Sequence, residues 1–159
     1  MPRLDPCLIE VYVFRRRGGR VEFLGLRRRS GDSLPGVWQP VTGTLKRGEP
    51  AVRGALREVR EETGLAPQRM WRLESVTTMF DPRRDAIRFV TLFAAEVGSR
   101  KTVKLSREHS HQRFLSAREA GTRFLWDSQR LGLAAVKRQV LRGGAHARAL
   151  EITLPNRRG

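Results

Sequence analysis

Four glutamates, Glu49, Glu58, Glu61 and Glu62, fall within Gly43–Leu65 of a chain otherwise rich in arginine. Ala51, Ala55 and Val59 recur at four-residue steps, which predicts a helix over Pro50–Thr63 with those residues facing a core. Pro50 suits a first helical turn, where its missing N–H costs nothing, and Gly64 suits the position just past the end. On that helix Glu58, Glu61 and Glu62 stand at i, i+3 and i+4, so their carboxylates converge on one face. Like charges at this spacing repel by a few tenths of a kcal/mol per pair. Two chemistries fit. One is a solvated acidic face trimmed by the interleaved Arg57 and Arg60. The other is a hard-cation site of the kind that takes Mg²⁺ or Mn²⁺ and completes its shell with water and substrate phosphate.

The full spacing decides between them. Gly43, five residues, Glu49, seven residues and then Arg57-Glu58-Val59-Arg60-Glu61-Glu62-Thr63-Gly64-Leu65 match every fixed position of the Nudix box. The chain therefore resembles a Nudix hydrolase. The resemblance implies an α+β fold, an α/β/α sandwich with a mixed sheet, the box as loop-helix-loop and C-terminal helices. It also implies a divalent metal, Mg²⁺ with Mn²⁺ as the alternative, and hydrolysis of a diphosphate bond. Glu62 and Glu61 are then the expected metal ligands, with the backbone carbonyl of Gly43. Glu58 is a candidate ligand and general base. Arg57 is expected in the catalytic set, holding a glutamate by a bidentate pair, and Glu49 behind it, supporting the loop-helix geometry.

The elements that must position these groups read as follows. Cys7–Arg15 is a strand rich in β-branched and aromatic residues, Arg17-Gly18-Gly19-Arg20 a turn, and Val21–Arg27 the returning strand. Arg27, Arg28 and Arg29 close it as either an exposed basic loop or a phosphate contact, and the resemblance singles out Arg28 for substrate. Ser30–Gly36 is a loop. The lead-in VWQPVTG is similar to that of the dihydroneopterin-triphosphate and dATP pyrophosphatases. Trp38 within it is either a core buttress of the box or a substrate-stacking residue. Met70–Phe80 and Ile87–Val97 read as paired strands around the turn Asp81–Asp85, with Phe80 and Phe89 expected in the core, the alternative being a base pocket.

Beyond them, the string from Glu108-His109 through Trp126 is similar to the C-terminal half of the same subgroup, extending the likeness over residues 8–141. Phe114 departs from it, standing where the subgroup commonly has Trp. The likeness points Glu108 at the metal, as ligand or as competitor of Glu58 for the base. His109 and His111 are read as structural or substrate-facing, because an all-oxygen site does not call for them. A strand over Gln112–Leu115 and helices over Ala117–Leu125 and Ser128–Leu141 follow. Residues 143–159 form an extension in which ALEITLP is an edge-strand candidate and the last residues are expected to be mobile.

Composition bounds the rest. The length, 159 residues, suits one domain with a core over about 7–142. No apolar run approaches membrane-spanning length, and the N-terminus lacks a signal-peptide pattern. Cys7, the only cysteine, excludes an internal disulfide, fits a cytoplasmic protein and reads as a small buried strand residue. The net charge of +16 admits a polyanionic partner, RNA included, or a bias spread over the surface. The expected reaction is water attack on a nucleoside triphosphate or a related pterin triphosphate, releasing pyrophosphate. The alternatives are ADP-ribose, dinucleoside polyphosphates or capped RNA as substrate, or a basic RNA-binding scaffold on the same fold.

Overall fold

A computed structural model describes residues 1–31 and 33–155. The residues expected to be mobile at the far C-terminus, 156–159, lie outside this range. The strands are β1 (Arg3–Arg17), β2 (Arg20–Arg28), β3 (Trp38–Gln39), β4 (Val41–Thr44), β5 (Arg69–Asp81), β6 (Ala86–Glu96), β7 (His109–Leu115) and β8 (Glu151–Ile152). They form one sheet in the order β3-β2-β1-β6-β5-β8, with β4 also on β1 and β7 also on β2. β1 and β6 run parallel and the other pairs are antiparallel, so the sheet is mixed. The expected hairpin is β1–β2, turned at Gly18 and Gly19 with φ of 56° and 74°. β1 starts ahead of Cys7 because β6 pairs with it from Arg3 onward.

Helices cover both faces. On one side lies α1 (Ala51–Thr63), whose Ala55 and Val59 are buried against Ile9, Val11 and Val13 of β1. On the other lie α2 (Ala117–Arg123), α3 (Asp127–Val136), a π-helical turn Lys137–Leu141 and α4 (Gly144–Leu150), packed on Tyr12, Phe14, Phe23, Trp71 and Leu92. β1 is thus buried on both faces, as a central strand requires, with odd residues toward α1 and even residues toward α3. The sandwich expected from the box is the observed architecture.

Several details differ from the reading of the sequence. The last long helix changes at Lys137 to π geometry, which lets buried Gln139 accept a bond from the Glu74 N–H at 3.0 Å, where β5 slips register against β6 between Arg72 and Val76. The segment after Arg142, read as a Gly-rich break, holds α4, and its Ala147 and Leu150 are buried. Packing therefore runs past residue 142. The candidate edge strand is present, Ile152 opposite Met70 and Glu151 opposite Trp71. Phe80 is not core: it is 57% exposed, because the β5–β6 arm runs beyond both helical layers, and Phe89 is only half-buried. Cys7 is half-buried too, 3.2 Å from Arg88 Nη2. Among the described residues no helix is long and apolar enough to cross a membrane.

Candidate active site

The box helix is delimited as its sequence dictates. Pro50, extended at ψ 139°, precedes it, and Gly64 ends it in the left-handed region at φ 68°, its N–H donating to the Arg60 carbonyl. Arg57 is the hub of its acidic face. Nε and Nη2 donate to the two oxygens of Glu49 at 2.8 Å each, a bidentate pair. Nη1 donates to Glu58 Oε1 at 2.6 Å and to Glu61 Oε2 at 3.0 Å, and Nη2 also reaches the Thr44 carbonyl at 3.2 Å. Glu49 accepts a further bond from the Lys46 N–H at 2.9 Å, so one carboxylate ties the preceding loop to the helix. The Arg57 guanidinium, with that N–H, pulls the Glu49 carboxyl down to about 2. Arg60 makes no ion pair among the described residues, so of the two interleaved arginines only Arg57 offsets the carboxylates.

Glu62 has the opposite environment. It is 4% exposed, and burial, followed by the charges of Glu58 and Glu108, pushes its carboxyl up to about 9, against the pull of Arg28 and the Thr42 backbone. Its Oε2 is buried and, among the described residues, has no hydrogen-bond partner. Burial also raises Glu58, partly offset by Arg57. Gly43 lies so close to Glu58 that a Cβ there would overlap the carboxyl. A buried orphan carboxylate oxygen, two further carboxylates beside it and a backbone left bare by glycine fit a divalent cation. Among the described residues no ready-made cage of three acidic or histidine side chains exists, because Glu58 and Glu61 are drawn to Arg57.

The candidates outside the helix divide. Glu108 is exposed on the turn before β7, and its carbonyl accepts from the Arg29 N–H at 3.0 Å, which sets it beside Arg28. Arg28 ends β2 half-buried, with a buried, unpartnered Nε, and lines a cleft of about 220 Å³ that also includes Gly43. Trp38 is not on that cleft. It packs between Gly25 and Arg123 against the α2–α3 side of the core, as a buttress, and its neighbour Gln39 lines the cleft instead. His109 is a buried strand residue 3.4 Å from Ser106 Oγ, which makes it structural, and His111 is exposed. Phe114 underlies the Arg15 guanidinium at 3.8 Å.

The cleft has three further walls that reasoning from the sequence missed. Thr77 and Met79 come from the β5 arm, Trp126 and Gln129 from the start of α3, and Glu10 from the floor. Glu10 is 7% exposed, and burial raises its carboxyl, against the bonds from Gln129 and Tyr12. Period-two alternation in β1 puts Glu10 in line with Tyr12 and Phe14, a polar residue where the core pattern calls for an apolar one. That misfit was the available signal.

No curated protein matches the chain. Among solved structures, a Listeria monocytogenes protein described as a NUDIX hydrolase is 28% identical, covering 85% of this chain and 94% of that one at a TM-score of 0.72. A Caenorhabditis elegans Ap4A hydrolase binary complex is 22% identical over 82% and 94%, at 0.69. The Escherichia coli dihydroneopterin triphosphate pyrophosphohydrolase is 21% identical over 86% and 99%, at 0.68, so the subgroup resemblance is one of several at low identity. The family model for the NUDIX domain matches residues 9–141. With the box carboxylates gathered on α1 around Arg57 and Glu62, the chain belongs to the NUDIX domain family, as one of its hydrolases.

Proposed function

We propose that the protein is a metal-dependent pyrophosphohydrolase of nucleoside triphosphates or a related pterin triphosphate. The observation that carries this reading is Glu62: buried, with one oxygen unpartnered among the described residues, and within the electrostatic reach of Glu58, Glu108 and Arg28. Glu62, Glu58 and Glu61 would hold Mg²⁺, or Mn²⁺ in its place, together with the Gly43 carbonyl. When bound, the ion neutralises phosphate oxygens and acidifies water. Arg57 keeps Glu58 and Glu61 in place, and Glu49 fixes Arg57. Arg28 offers its guanidinium to the phosphates. Glu108, exposed and in no side-chain ion pair among the described residues, takes the proton from the attacking water; Glu58, bound to Arg57 at 2.6 Å, is the poorer base. A bond forms from water oxygen to phosphorus, the bridging P–O bond breaks, and pyrophosphate leaves.

The test is a hydrolysis screen with Mg²⁺ and with Mn²⁺ over nucleoside triphosphates, dihydroneopterin triphosphate, ADP-ribose and dinucleoside polyphosphates. Pyrophosphate release from the triphosphates is expected. Turnover confined to ADP-ribose or dinucleoside polyphosphates overturns the substrate class, and no turnover at all overturns the reading.

One observation favours polyanion binding as a second reading. A groove of about 570 Å³ at the β1–β2 turn is lined by Arg15, Arg16, Arg17, Arg100 and Lys101. Arg15 and Arg16 are paired with Glu22 and Glu96, which leaves three cations unpaired among the described residues. Salt-dependent RNA binding without hydrolysis would favour it.

A further inference from the structure

The floor of the cleft holds a carboxyl that the phosphate chemistry does not use. Glu10 Oε1 lies 3.0 Å from the Tyr12 hydroxyl, and Oε2 accepts from Gln129 Nε2 at 3.1 Å. Each partner is fixed in turn. Tyr12 Oη is also 3.2 Å from the Gln129 carbonyl oxygen, and Gln129 Oε1 accepts from the Trp126 N–H at 3.2 Å. These bonds pin the Glu10 carboxyl at its back. A carboxyl group offers about four lone-pair positions, and the two bonds occupy only two of them. What remains faces the cleft. The bonded partners of Glu10, a phenol and a carboxamide, are both neutral.

The cleft above is shaped for a flat, partly polar group. Trp126, 42% exposed, supplies an indole wall. Across the sheet, Thr44, Leu8, Val90 and Thr77 stand in one register row and form a level surface. The Thr77 hydroxyl in that row is buried and has no partner among the described residues. At the opposite rim the Arg28 Nε is likewise buried and unpartnered. Glu10 lies opposite Thr42 on the neighbouring strand, one step along from the Ile9–Gly43 pair at the metal end. The cleft that Gly43 and Arg28 line also takes in Glu10 and Trp126, so it offers the heterocycle of a nucleotide whose phosphates lie at Gly43 and Arg28 a seat over Glu10.

We propose that Glu10 is the specificity-determining residue of this hydrolase, accepting a hydrogen bond from an exocyclic amino group on the substrate heterocycle. The cleft then selects amino-bearing bases over analogues that carry hydrogen at the same position. This rests on the reading of the cleft as a nucleotide site. A buried acceptor that loses its donor stays desolvated and unpaired, so the missing amino group is felt more strongly than its size alone would dictate.

Two substrate pairs differ by that one group: ATP against purine riboside triphosphate, and GTP against ITP. At least one pair should show kcat/KM lower for the deamino member by more than about tenfold, carried by KM with kcat nearly unchanged. In Glu10→Gln, where a donor replaces an acceptor, that ratio should shrink to within about twofold. Loss of stability alone would lower both members equally and leave the ratio intact. Equal kcat/KM within both pairs for the wild-type protein overturns the proposal, as does a ratio preserved in Glu10→Gln. Binding of AMP against purine riboside monophosphate, and of GMP against IMP, followed by Trp fluorescence without metal, needs neither turnover nor a folded variant. A preference for an amino member there, with no hydrolysis of any triphosphate, sinks the proposed activity and keeps the role of Glu10. No preference in either monophosphate pair sinks the role of Glu10 by itself.

Discussion

As a metal ligand Glu62 would have to carry charge where burial opposes charge, a tension of the kind that gathers at functional sites. Glu62→Gln removes the charge and keeps the shape. It should lower kcat by roughly 10²- to 10³-fold with an unchanged circular dichroism spectrum; near-normal turnover with Mg²⁺ supplied would refute the assignment. Glu10 makes a different prediction. An acid whose folded pKa lies above its unfolded value holds its proton more tightly in the fold. Its stabilisation is complete below the ordinary carboxyl value of about 4.3 and is lost as pH rises through the raised folded value. Tm of the wild-type protein should therefore carry a downward contribution with rising pH that is absent from Glu10→Gln, measured as the difference between the two pH series. The box carboxylates were legible because a helix places i, i+3 and i+4 together whatever surrounds them. Glu10 was not, because its partner Gln129 lies 119 residues away and only the fold joins them.

Among the elements, those specified by local pattern were readable and those specified by tertiary packing were not. The hairpin, the box helix and the β5–β6 pair follow from alternation, periodicity and glycine placement. The π turn exists to serve a slip in β5, and α4 is a short helix held by burying Ala147 and Leu150, so neither leaves a local signature. Phe80 looked like core because its type is usually core, but it stands exposed next to the β5–β6 turn. The end of α1 gives a quantitative check. Gly64 sits at φ 68° against the Lys104 side chain. Gly64→Ala should cost about 1–2 kcal/mol, read as a drop in the urea midpoint with an unchanged slope. An unaffected midpoint would mean that the cap relaxes into another conformation.

For the molecule as a whole, charge is the dominant long-range property: 32 Lys and Arg against 16 Asp and Glu on 159 residues. Such a field draws a polyphosphate towards the cleft. kcat/KM for a nucleoside triphosphate should fall severalfold between about 0.01 and 1 M salt, over which the Debye length shrinks from about 30 to about 3 Å, while kcat stays nearly level. A flat kcat/KM would confine the charge to a role elsewhere, such as the groove at the β1–β2 turn. In the proposed reading the two helical layers divide the work, α1 carrying the box carboxylates and the start of α3 a wall of the cleft. Gly132 of α3 lies directly against the Tyr12 hydroxyl, where a Cβ would collide with it. The ring of Tyr12 belongs to the core, and its hydroxyl binds the carboxyl that floors the cleft. Reshaping the cleft at Glu10 therefore disturbs the seat of α3 as well, because the hydroxyl that binds the Glu10 carboxyl is the one against which Gly132 packs.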